Sequence, residues 1–196
     1  MKTTTKVAIA VAVLVLLAST KARASKIIVT DDLLRRIDPN VKQNYADALN
    51  AAMAAGAINT PRRIAAFLAQ ILHESGSFRF MREIASGEAY EGRADLGNTQ
   101  PGDGPRYKGR GFIQITGRAN YRQAGKDLGV PLEASPELAE RPDLAAHLAV
   151  WFWTTRKLNA KADADDFVGI TRAINGGTRG LESRTKLYDR AKSLLA

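Results

Sequence analysis

Cysteine is missing from the 196 residues, so neither a disulfide nor a thiolate metal site can form. Histidine is nearly missing: His73 and His147 are the two present. A His-rich zinc site therefore lacks its ligands, which counts against a zinc amidase or zinc peptidase. Aromatic residues make up 7% and do not interleave with basic runs, so nucleic acid is a poor candidate partner. No internal repeat and no interdomain linker interrupts the chain. The Asp163-Ala164-Asp165-Asp166 run lacks the glycine and closing glutamate of a calcium loop and reads as a solvated helix start.

What is present fits one folded domain. Apolar residues at 45% and charged residues at 25% are ordinary for a globular chain of this length. The net charge is +9. Lys2, Lys6, Lys21 and Arg23 sit in residues 1–24 with no acid, which leaves 25 basic against 20 acidic groups, or +5, in residues 25–196. Such a surface suits an anionic polymer, such as the carboxylate-bearing bacterial wall.

The first 24 residues have the layout of a secretory signal peptide. A short basic start precedes the apolar run Val7 to Ala18, and Ala22-Arg23-Ala24 offers small residues to a signal peptidase. The expectation is export to the periplasm, with Ser25 as the mature start and residues 25–196 as the catalytic domain. The run of about 12 residues is short for a bilayer-spanning helix, which needs about 20. An uncleaved signal-anchor, tethering the domain to the inner membrane through residues 7–18, is the alternative.

The remaining pattern is mainly helical. Ile27 to Val29 reads as an extended lead-in, and Thr30 caps a short helix through Ile37. A second helix is expected over Val41 to Ala55 and closes at Gly56. In the third, Ile64, Phe67, Leu68, Ile71 and Leu72 recur at the spacing of one buried face. Thr60 is its N-cap and Pro61 its first residue. From Glu74 to Gly111 the chain is loop-like, with eight glycines between Gly76 and Gly111, and a loop this long inside a domain is a functional signal. Gly111 to Gly117 is a candidate short strand. Further helical patterns cover Asn120–Leu128, Ser135–Arg156 with a break near Pro142, Asp165–Ile174 and Glu182–Leu195.

Glu74 closes the third helix at the edge of its apolar face, beside the loop. A carboxyl group there is placed to act as a general acid, although a polar residue ending a helix is equally consistent with position alone. Glycoside hydrolysis pairs one such acid with a second carboxylate. The loop offers Glu83, Glu88, Glu91, Asp95 and Asp103, and spacing does not choose among them.

Four stretches in this order, AAFLAQILHESG, YEGRADLGNTQPGDGPRYKGRGFIQITGRANY, AVWFW at 149–153 and INGG at 174–177, resemble glycoside hydrolase family 19. This group contains chitinases and phage and bacterial wall-lytic enzymes. The DLGNTQPGDG version is most similar to the endolysin branch. The resemblance implies a lysozyme-like, mainly helical domain with at most a small β element. It implies a monomeric, cofactor-free enzyme that hydrolyses a β-1,4-linked N-acetylated glycan, peptidoglycan or chitin, with inversion. By the same resemblance Glu74 is the general acid and Glu91 the general base, with Glu83, nearer the acid, as its rival. Thr116 holds the attacking water, Asn120 and Asn175 bind substrate, and Arg184 lies near the catalytic pair. Tyr107, Lys108 and Gln114 line the sugar subsites. A one-glutamate lytic transglycosylase and a non-catalytic glycan-binding module are the competing readings. Of Trp151 and Trp153, at least one is expected in the core.

Overall fold

The computed structural model describes residues 29–196. The signal-peptide and anchor readings, and most of the Ile27–Val29 lead-in, lie outside the described residues.

Nine α-helices form among the described residues: α1 (Asp31–Ile37), α2 (Ala46–Ala55), α3 (Pro61–Glu74), α4 (Asp103–Arg106), α5 (Arg118–Leu128), α6 (Pro142–Thr155), α7 (Leu158–Asp163), α8 (Phe167–Asn175) and α9 (Leu181–Leu195). α3 is the axis of the fold. Its Thr60 side chain accepts from the Arg63 amide, and Pro61 takes the first helical position. Nine consecutive residues, Ile64 to Leu72, are buried, so α3 is enclosed on all sides, where the spacing predicted one buried face. Ala65, Ala66 and Ala69 make this feasible, because small side chains let neighbours approach on the faces the large ones do not fill. α9 makes the most extensive contact along α3, and Phe67 meets Trp153 of α6 edge to face. Each fully buried Leu, Ile or Phe here contributes about 1.5–3 kcal/mol. At its N-terminal end, Arg63 forks onto Asp163 of α7 at 2.7 and 2.5 Å.

The segment from Ser75 to Gly117 wraps one end of this bundle. Two short 3-10 turns (Glu88–Tyr90 and Ala94–Leu96) and α4 interrupt it. Its ordering comes from side chains. Phe78 packs on Tyr45 and Phe112 with ring centroids 5.5 and 4.8 Å apart. Buried Asn98 donates to the Tyr90 carbonyl and accepts from the Arg118 amide. Asp103 is ion-paired with Arg118 at 2.5 Å. The strand expected over Gly111–Gly117 does not form. Gly111 (φ 73°) and Gln114 (φ 53°) adopt left-handed backbone, which curls the segment into a turn closed by a bridge from Arg110 to Ile115.

The helices also differ from expectation in places. α2 begins at Ala46, because the Ala46 amide is capped at 3.0 Å by Asp31, a residue on α1. α7 is an unpredicted helix, entered through Lys157 at φ 54°. The Asp163–Asp166 run is divided: Asp163 ends α7 against Arg63, while Asp166 caps α8 by accepting from the Gly169 amide. Both tryptophans are core residues. Trp151 donates to Asp127 and Trp153 to Asn159, so neither is a sugar platform.

Candidate active site

Glu74 emerges from the buried end of α3 with a side chain 19% exposed. One oxygen, Oε1, accepts from Arg184 of α9. The same guanidinium donates to Gln70, one turn earlier on α3, and Gln70 donates to Thr171 of α8 at 2.9 Å. Gln70, Thr171 and Arg184 are all buried. Three helices thus hold one carboxylate through a fully satisfied polar network, the arrangement that rigidifies rather than destabilises a core. Oε2 of Glu74 has no hydrogen-bond partner among the described residues and is left for a ligand. The neighbouring imidazole, His73, lies 3.1 Å from the Ser183 hydroxyl. Burial first, then the Arg184 charge, pushes His73 below the ordinary histidine range, against a smaller opposing pull from Glu74.

Glu74 lines a cleft of about 250 Å³ with Gln114, Thr116, Asn120 and Asn175, beside Phe152 and Arg156. A second, larger recess of about 500 Å³ also reaches Glu74 and is bounded by Asn175, Arg179 and Arg184. Thr116 donates its hydroxyl proton to the Gln114 carbonyl at 2.9 Å, so its lone pairs remain to accept from a water. Asn120 donates to the Thr116 carbonyl, which leaves its amide oxygen as an acceptor on the cleft. Asn175 is anchored by Arg179 O and the Gly177 amide. Gln114 donates to the carbonyls of Phe80 and Gly111.

The two rival glutamates have different occupations. Both oxygens of Glu91 accept backbone amides of the α4 turn, from Gly102 and Gly104, at 2.7 Å each. A Cβ on Gly104 would stand 2.6 Å from the Glu91 nitrogen, so only glycine permits this approach. Glu91, expected as the leading second carboxylate, is a staple of the loop. Glu83 instead accepts from the Tyr90 hydroxyl and the Gly109 amide, both at 3.0 Å. Burial, reinforced by Glu83, pushes the Tyr90 phenol up, so it keeps its proton and donates. A Cβ on Gly109 would meet Gln114 Oε1 at 2.8 Å and Glu83 Oε2 at 3.1 Å. Glu83 thus adjoins the glutamine that lines the Glu74 cleft.

Two other expectations change. Tyr107 is 1% exposed, and its hydroxyl donates to the Glu133 carbonyl. Its ring packs on Tyr121 and it borders a separate basic recess with Arg106, Arg118 and Arg122, so it is a core residue and not a sugar contact. Lys108 donates to the Ala85 carbonyl at 2.8 Å and ties the two arms of the loop together. Sequence reasoning overlooked Gln70, Thr171, Phe152 and Arg156. Gln70 alone carried a signal, as a polar residue flanked on α3 by apolar ones, since buried amides are rare unless partnered. Among the described residues no group of three or more His, Asp or Glu side chains is arranged to hold a metal ion.

Comparison with known proteins gives the family and the fold. The glycoside hydrolase 19 description, "Chitinase class I", matches residues 40–175. A glycosyl hydrolase family 19 domain-containing protein of Haemophilus influenzae is 32% identical over 192 residues, covering 82% of this chain and 94% of its own. An Arabidopsis thaliana endochitinase is 47% identical over 118 residues, 59% of this chain and 40% of the plant protein. In three dimensions, chitinase C from Streptomyces griseus superposes with a TM-score of 0.73 at 26% identity, covering 86% of this chain and 93% of its own. A class IV chitinase from Zea mays gives 0.69 at 26%, covering 87% and 94%.

Proposed function

Because the chain belongs to glycoside hydrolase family 19, we propose that it is an exported, monomeric, endolysin-type enzyme that cuts the β-1,4 glycosidic bonds of peptidoglycan with inversion. The observation that carries the reading is the state of Glu74: one oxygen is clamped by a buried arginine, and the other is open to a cleft lined by amides and a hydroxyl. Glu74 delivers a proton through Oε2 to the leaving oxygen as the bond to the anomeric carbon breaks. Glu83, fixed by Tyr90 and Gly109, takes a proton from the water that attacks the opposite face. Thr116 and Asn120 hold that water and the acetamido sugar beside it. Inversion needs the two carboxyl groups about 6.5–9.5 Å apart, so that a water fits between them. The net charge of +5 on residues 25–196 supports an anionic polymer as substrate.

Chitin is the second reading, favoured by the endochitinase relatives. Mass spectrometry of soluble products from purified peptidoglycan decides between them. Saturated fragments with a reducing muramic acid end are expected. Anhydro-muramic ends would identify a transglycosylase, and intact peptidoglycan with cleaved chitin oligomers would move the substrate to chitin.

A further inference from the structure

Arg184 and Arg156 border the two recesses that meet at Glu74, and they differ in what engages them. Arg184 is engaged by Glu74 and Gln70. Arg156, at the C-terminal end of α6, has neither a hydrogen-bond partner nor an acidic partner among the described residues. Its guanidinium carbon sits 3.4 Å over the centroid of the Phe152 ring, and both residues border the cleft that holds Glu74, Thr116 and Asn120. Stacking on an aromatic face fixes the plane of a guanidinium while leaving its edge donors free for bidentate binding of a carboxylate. Burial pushes Arg156 down from its usual range, and no carboxylate stands close enough to offset that. Arg63, Arg118 and Arg122, by contrast, are each raised by an acidic neighbour. A half-buried cation without a counter-ion is costly to keep, and this one remains charged at any physiological pH. Its position is therefore suited to an anion supplied by the ligand.

We propose that Arg156 is a specificity-determining residue that pairs with a carboxylate on a substituent of the bound glycan, so that the enzyme favours an acidic chain over a neutral one. The assignment rests on the peptidoglycan reading above and gives it a residue. The stacked guanidinium meets the carboxylate edge-on, from a cleft wall that also carries the proton donor. A neutral chitin chain has no group to fill this position.

The test compares kcat/KM of the full chain on soluble peptidoglycan glycan fragments with the same fragments after their carboxyl groups have been converted to amides. The wild type should prefer the acidic fragments by about tenfold, chiefly through KM. In Arg156→Gln that ratio should fall to near one, and Arg156→Lys should restore part of it. Any general effect of the substitution on folding or chemistry cancels in the ratio. A ratio unchanged in Arg156→Gln would overturn the role of Arg156 while leaving the peptidoglycan reading intact. A wild type that cuts chitin oligomers but neither set of fragments would overturn both.

Discussion

At the scale of single residues, Glu83 and Glu91 differ in what each carboxylate is already doing. Glu83→Gln keeps the shape of the side chain but removes the proton acceptor. Activity on peptidoglycan should fall by about 10²–10⁴-fold, the usual weight of general acid–base catalysis, with the melting temperature little changed. Glu91→Gln puts an NH₂ where one of two backbone amides needs an acceptor. The orphaned amide should cost about 1–3 kcal/mol of stability, while turnover by the folded protein stays within a few-fold of wild type. Paired rate assays and urea titrations on the two variants separate these roles. An active Glu83→Gln beside an inactive Glu91→Gln would return the second role to Glu91. Residue by residue, Glu74 was visible early because it ends a strong amphipathic pattern. Thr171 and Arg156 were not, and Gln70 showed only as a polar residue among apolar ones, since its partner on α8 lies 101 residues away and Arg156 looks like an ordinary cation at a helix end.

The helices differ in how much of their definition is local. α1 and α3 begin where their threonine caps predict, because cap, first-turn residue and apolar spacing all agree within a few residues. α2 starts five residues later than its pattern suggests, since the group that caps it sits on α1. α7 has six residues, too few to print a period. The long loop was legible as functional, but its order was not: it comes from Asn98, Asp103 and Arg110 reaching distant carbonyls and charges. For α3 the local signal can be weighed directly. Thr60→Ala removes a side-chain acceptor 3.3 Å from the Arg63 amide and should lower stability by about 0.5–1 kcal/mol, toward the weak end for an N-cap because the bond is long. Urea unfolding measures this. A loss above about 2 kcal/mol would mean that Thr60 does more than cap.

For the whole molecule, acid should act in two stages. His73 is held below its ordinary value of 6.5, by burial and then by Arg184. The unfolded chain therefore takes up that proton more readily, and stability present above pH 6.5 is lost as the pH falls toward the depressed folded value. Asp103, held down mainly by its hydrogen bond from Arg118, and Asp165, held down mainly by Tyr188, sit below the ordinary aspartate value of 3.8. Their contribution is present above pH 3.8 and disappears at lower pH. Melting temperature followed from pH 8 to pH 3 should show a shallow decline beginning near 6.5 and a steeper one below 4. His73→Gln should flatten the first and spare the second. If that variant leaves the first decline unchanged, His73 is not its source.

The clamp on Glu74 also imposes an order on biosynthesis. The acid lies on α3, but the arginine that holds it lies on α9, 110 residues later in the chain. A polypeptide still emerging from a ribosome carries Glu74 without its clamp, and the cleft is unfinished until α9 docks along α3. Any activity that depends on the clamped Glu74 therefore waits for α9 to dock.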